Sequence, residues 1–418
     1  MKARFSKDFI LVVIGQIISI FGNQIIRFAL PLYLLNQTGS SVLFGTILAV
    51  SFIPMILLFP IGGIIADRVN KRNIMVILDF STGILIILFY LLVGKIDIVP
   101  LMAVTMIILF GIQGAYQPAV KASIPALVGT EHIMQANSIV DVINSLASMA
   151  GPVVGGILFS IFGLTPILYV AIFCFFASAI MEIFIHIPFE KRHIKRNIFV
   201  TGFGDLKESF GFMFKEQPVM WKGTFVYAFT NLLLIPLILI GVPVLITQYM
   251  GFNPDTANQL YGYAQGVIAT GAILGGLLAG MFSKKLKLSV SPLIFAGMAL
   301  SIFFIGIALQ ILKNSMAIYI IMTIGAGVLV LLSTLFQIQI MSCVQILTPK
   351  KLIGKVVSCV ICVCMCTLPL GQFIYGIVFE NIETYTHFPF YVAALIMIGI
   401  SIFTRHIFYG IDNLIKKH

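Results

Sequence analysis

An all-α membrane protein of twelve spanning helices, set out as two six-helix halves with both termini cytoplasmic, is the fold class this sequence predicts. Three observations lead to it: an apolar composition, twelve long apolar runs, and a polar break after the sixth run. Sixty per cent of the 418 residues are hydrophobic and only 10% are charged. A soluble domain carries about 25% charged residues, so the chain is built for lipid.

The runs fall near 9–35, 42–66, 73–94, 98–120, 136–163, 165–188, 218–248, 257–282, 288–312, 316–347, 353–379 and 386–410. A helix of about 20 residues crosses a bilayer core, and within lipid only a helix satisfies its own backbone over such lengths. Strands of a membrane barrel would be shorter and would alternate in polarity. The first run is too long for the apolar part of a secretory signal and no small-residue cleavage site follows it, so it is expected to be the first span. Of the 26 Lys and Arg residues, only Lys95 and Lys313 fall in odd-numbered connections, and Arg27 lies inside a run. The excess of bases elsewhere predicts cytoplasmic termini. It also accounts for the net charge of +11 without nucleic acid, because the bases are scattered over separate inner segments.

Residues 1–188 form the expected N-terminal half, 189–217 a cytoplasmic linker, and 218–418 the C-terminal half. The linker opens with the basic run Lys191-Arg192-His193-Ile194-Lys195-Arg196. Beyond it Phe203, Leu206, Phe210, Met213 and Phe214 fall at helical spacing, apart from Asp205, Lys207, Glu208 and Lys215. That pattern suggests an amphipathic helix, lying in the inner interface or packed on the bundle. The halves also repeat. Leu43-Phe44-Gly45 corresponds to Leu260-Tyr261-Gly262, and the same spacing carries Gly63 to Gly280 and Pro152 to Pro369.

Polar side chains inside spans are costly and are therefore candidates for function. Gln16, Asn23 and Arg27 lie near one face of the first helix, with Gln24 beside them. Arg27 either faces a central cavity, where it would hold an anionic group, or reaches outward to headgroups and backbone. Asp141, Asp79 and Glu182 are the acids within one or two turns of the inner face. Asp141 is the preferred proton carrier, on the expectation that it is buried between helices, with Asp79 as the second. Both alternatively pair with Arg68, Arg72 or Lys121 as a latch. Gln113 is a further candidate in the first half. Amides stand at second-half positions: Asn231, Gln265, Gln337, Gln339 and Gln372. They suit a permissive, uncharged pocket, and some simply bond neighbouring helices.

The fifth helix carries Gly151-Pro152-Val153-Val154-Gly155-Gly156. Gly151 and Gly155 make a smooth stripe for close helix contact, and Pro152 bends the helix. Cys359, Cys362, Cys364 and Cys366 crowd the eleventh helix, but one helix cannot wrap a tetrahedral metal site; they are expected as packing residues, and no metal or cofactor is expected. No nucleotide-binding GxxxxGK[ST] run and no nucleophile elbow occurs, so an enzyme is not expected.

The run Gly62-Gly63-Ile64-Ile65-Ala66-Asp67-Arg68-Val69-Asn70-Lys71-Arg72 resembles the loop signature of the major facilitator superfamily between its second and third helices. That family usually has Gly where this chain has Asn70, and Asn is the next-best residue for a left-handed turn. The Gly151–Gly156 run resembles the so-called antiporter signature of drug-exporting facilitators, with Ala147 where a further Gly is common. Close packing without directional meaning remains the alternative. Tyr116-Gln117-Pro118-Ala119, Ile124-Pro125-Ala126-Leu127-Val128, Ala136-Asn137-Ser138, Thr38-Gly39-Ser40 and Pro349–Val356 look like the macrolide-efflux and enterobactin-exporter branch. Many facilitators carry Arg in the fourth helix; the corresponding stretch here, Leu109–Gly114, has none.

The resemblance implies the major facilitator fold, with substrate held between the halves, and a secondary transporter drawing on an ion gradient. It implies that Gly63, Asp67, Arg68 and Arg72 form an inner gate, with Asp67 facing the start of the eleventh helix near Ile353 and Gly354. The leading expectation is proton-coupled efflux of amphipathic drugs such as macrolides, at the plasma membrane, by a functional monomer. Substrate would be bound around Asn23, Gln24, Arg27, Gln113, Asn231, Gln265 and Gln337. The alternatives are export of one anionic metabolite such as a siderophore, and a passive or lipid-handling membrane protein.

Overall fold

The structure is a computed structural model that describes residues 6–128, 132–187, 208–216, 218–282, 287–349, 352–382 and 385–408. Twelve of its helices are long and apolar enough to cross a membrane, and the described residues contain no strand. In chain order the helices are α1 (Lys7–Thr38), α2 (Ser41–Arg68), α3 (Lys71–Leu92), α4 (Ile98–Leu127), α5 (Ile133–Phe162) and α6 (Leu164–Ile183). They continue as α7 (Pro218–Val244), α8 (Pro254–Met281), α9 (Ser291–Ile311), α10 (Ser315–Leu347), α11 (Ile353–Asn381) and α12 (Phe388–Ile407).

Local chemistry sets the ends. Gly39 stops α1 in the left-handed region, φ 64°, with its N–H on the Leu35 carbonyl. Glycine adopts that conformation without a Cβ clash. Ser40 then caps α2 by accepting the Leu43 N–H, the usual use of a short hydroxyl side chain at a helix start. Asn70 corrects an expectation. It is not left-handed: φ is −57°, and its side chain accepts the Arg72 N–H as the N-cap of α3. Asparagine replaces glycine here by supplying a cap, not a turn conformation.

Two helices differ from the apolar runs. α4 continues to Leu127 through Pro118 and Pro125, because the run ends where polar residues begin but the backbone ladder does not. α6 ends at Ile183, short of the expected 188, where the His186 N–H donates to the Asp8 carboxylate at 2.9 Å. Asp8, in the first turn of α1, thus draws the chain away from the helical path.

The chain divides into two compact units: Met1–Lys195 with Asn253–Gly266, and Arg196–Phe252 with Val267–His418. In the first unit α2 packs on α4, α6 on α1 and α3, and α5 on α1. In the second unit α9 packs on α10 and α12, and α11 on α7. Most of the proposed linker helix lies outside the described residues, including Phe203, Asp205, Leu206 and Lys207. Its described end buries Met213 and sets the half-exposed Phe214 against Trp221, ring centroids 4.0 Å apart and the planes tilted by 33°. Glu208 pairs with Lys355 at the start of α11 at 2.7 Å. Both side chains are solvent-accessible, so the pair fixes register more than stability.

Candidate functional site

Within the first unit, four helices bring a polar cluster into an apolar interior. The Gln16 amide of α1 donates to the Tyr116 hydroxyl of α4. That hydroxyl donates to Glu182 Oε1 of α6 at 2.8 Å. Ser19, one turn from Gln16, donates to Asp79 Oδ1 of α3 at 2.9 Å. Ser178, one turn from Glu182, donates to the Gly15 carbonyl. Gln16 and Glu182 have no exposed surface and Asp79 is 3% exposed. Ser19, Asn23, Asp79, Gln113 and Tyr116 line a cavity of about 10 Å³, room for roughly one water.

A second arrangement in that unit is made of small residues on α5. Gly151 lies against Gln24 and Gly155 against Phe28 of α1. Gly156 faces the other way, toward Gly262: a Cβ at 156 would lie 2.8 Å from the Gly262 Cα. The contact is flanked by the Asn36 amide donating to the Asn258 side-chain oxygen at 2.8 Å and by Phe28 stacked on Tyr261 at 4.9 Å. The two faces of the glycine run therefore serve two different neighbours.

The second unit holds a larger cavity of about 450 Å³. α7 contributes Tyr227, Asn231 and Ile235; α10 contributes Gln337, Met341 and Gln345; α11 contributes Val357, Ile361, Cys364, Met365 and Leu368. No lining residue carries a charge. The size falls within the range of small-molecule pockets, roughly 300–1,000 Å³, and the mix of apolar walls with a few amides is typical of them.

The family model described as the Major Facilitator Superfamily matches residues 12–371. The chain belongs to that superfamily. It is a multi-pass membrane protein of a transporter family. Macrolide efflux protein A of Streptococcus pyogenes is similar to this facilitator, 24% identical over 306 residues, covering 69% of this chain and 70% of that protein. The enterobactin exporter EntS of Shigella boydii serotype 4 is 28% identical over 152 residues, covering 35% of this chain and 36% of that protein. Among solved structures, a D-xylose–proton symporter superposes with a TM-score of 0.72 at 14% identity, covering 95% of this chain and 96% of that one. At that identity the likeness shows the fold alone.

The expected site residues of this facilitator part company. Asn23 and Gln113 line the small cavity with Asp79, whereas Asn231 and Gln337 line the large one. Gln24 donates to Ser148 at 2.8 Å, and Gln265 to Tyr261 on its own helix at 3.0 Å. Gln339 is held by Ser291 and by the Lys287 carbonyl, a packing role. The Arg27 guanidinium lies over the Phe110 ring, 4.2 Å from its centroid, a cation–π contact rather than an outward reach. Asp141 is exposed, so the burial expected of it is absent, and Asp79 is the buried one. Of the gate residues, the side chains of Gly63, Asp67 and Arg68 lie outside the described residues, and Arg72 is partly buried. Sequence reasoning named Gln16 and Glu182 among the intramembrane polar groups but gave them no role, and it left Ser19 and Tyr116 out. Glu182 signalled itself as an acid in an apolar run; Tyr116 carried no such signal.

Proposed function

We propose that this facilitator exports amphipathic drugs such as macrolides across the plasma membrane, driven by inward movement of protons. The observation that carries the reading is the cavity of the second unit, with Tyr227, Asn231, Gln337 and Gln345 set among methionine and aliphatic walls and no charge. A pocket of that kind accepts bulky guests by area and asks only for a few hydrogen bonds. The likeness to macrolide efflux protein A supports the direction and the substrate class. Asp79 and Asp141 are the proposed proton carriers, and Asp79 is the one removed from water.

The reading is tested in inverted membrane vesicles with an imposed pH gradient, offering a fluorescent dye, a macrolide and a catecholate siderophore in parallel. Proton-dependent uptake of the macrolide or dye is expected. Uptake that ignores the gradient would sink the proton-coupled reading. Narrowing the cavity gives a sharper expectation. Cys364→Phe should weaken macrolide transport about tenfold, equivalent to ~1.4 kcal/mol, and affect a small dye less; equal effects on both would place binding elsewhere.

Arg27 favours a second reading, export of one anionic metabolite, because an intramembrane cation is expensive to keep. Arg27→Ala separates the two. A broad exporter retains macrolide and dye flux, whereas a dedicated anion exporter loses all flux.

A further inference from the structure

We propose that Asp79 and Glu182 form one proton-binding site, with Tyr116 bonded to Glu182 and lining the small cavity beside Asp79, that carries the coupling proton of the export reading on which this inference rests. Three observations converge. The two acids are buried on helices that pack together, α3 and α6. Each spends one carboxyl oxygen on a hydroxyl donor, Ser19 or Tyr116. The remaining oxygens, Asp79 Oδ2 and Glu182 Oε2, are buried without a hydrogen-bond partner among the described residues, as is Gln16 Oε1. The cavity beside Asp79 admits about one water.

Two carboxyl groups taken out of water require compensating positive charge. No base supplies it among the described residues. On the packed helices the other charged or titratable groups are Lys7, Asp8, Arg27 and Tyr33 of α1, Lys71, Arg72 and Tyr90 of α3, and Lys121 of α4. α6 adds Tyr169 and Cys174, α5 adds Asp141, and His132 precedes it. Arg27 lies over the Phe110 ring, Lys121 is exposed, and Tyr90 and Tyr169 bond each other. On α2 the side chains of Asp67 and Arg68 lie outside the described residues. A cation from outside would supply it. A metal ion would want oxygen lone pairs on all sides, yet Tyr116 and Gln16 point O–H and N–H groups into the chain of contacts. A proton suits that arrangement. It arrives from water, rests on a free carboxyl oxygen, and returns to water when the site opens. Tyr116 is a positioning residue: it holds Glu182 by one oxygen and leaves the other available, as Ser19 does for Asp79.

The test uses the full chain in lipid nanodiscs and in inverted vesicles, with Asp79→Asn, Glu182→Gln and the double variant, and Asp255→Asn as an exposed control. Infrared titration should show a protonated-carboxyl band in the wild type at neutral pH. Each single variant should lose part of it, the double variant should lose all of it, and Asp255→Asn should leave it unchanged. In vesicles both single variants should keep downhill macrolide flux and lose at least about tenfold of gradient-driven accumulation. A band untouched by either substitution, or accumulation within about twofold of wild type, would overturn the site. Accumulation that follows an imposed sodium gradient and not pH would overturn the proton. If the wild type moved none of the probes, the export reading would fall, while the band would still decide whether the pair holds a proton.

Discussion

Gly156→Val is expected to destabilise the protein by about 3 kcal/mol, at the upper end of the range for forcing extra atoms into a packed site. The reason is the identity of the neighbours. A Cβ at 156 would lie 2.8 Å from the Gly262 Cα and 3.0 Å from the Asn258 carbonyl oxygen, both backbone atoms that no rotamer change can move. The reciprocal change, Gly262→Val, meets the Pro152 carbonyl oxygen at 2.7 Å and should cost a similar amount. Gly276 has nothing within 4 Å of its missing Cβ, so Gly276→Ala should be neutral or stabilise by up to ~1 kcal/mol through helix propensity. Thermal unfolding of the three variants in one detergent checks this. If Gly156→Val unfolded alongside the wild type, the close approach of these two glycines would be wrong.

Tyr116→Phe is expected to cost about 1–3 kcal/mol, the penalty for leaving buried polar groups unsatisfied. One lost hydroxyl strands two partners. The Gln16 amide loses its acceptor, and Glu182 is left with no hydrogen bond to Tyr116 on an oxygen whose twin already lacks a partner. Adding Glu182→Leu to Tyr116→Phe should recover a good part of the loss, because two apolar replacements remove the orphaned group along with its partner. A double-mutant cycle measures the coupling. Additive losses would mean that the 2.8 Å contact contributes nothing specific.

The helices were legible because lipid leaves the backbone no other choice; run lengths and caps such as Ser40 are local properties. The site was less so, because nothing local sets the register between one helix and another. Gln16, Asn23 and Arg27 share a stripe of α1, as the spacing requires, yet Gln16 meets Tyr116, Asn23 lines the cavity beside Asp79 and Arg27 meets Phe110. Tyr116 and Glu182 stand 66 residues apart, and no periodicity in either helix points at the other. Asp141 shows the same limit. Its place in an apolar run suggests burial, but which face of α5 is covered depends on neighbours that the run does not encode. Gly262 was visible as part of a repeat; that it closes on Gly156 was not.

The uncharged wall of the larger cavity has an electrical consequence. Moving one elementary charge through a potential of 100 mV involves about 2.3 kcal/mol. On the export reading proposed above, a neutral guest held among Asn231, Gln337 and Met341 would cross without that work, whatever the voltage. With such a guest, any current that accompanied turnover would report the coupling ion alone, and the charge moved per guest would count ions directly.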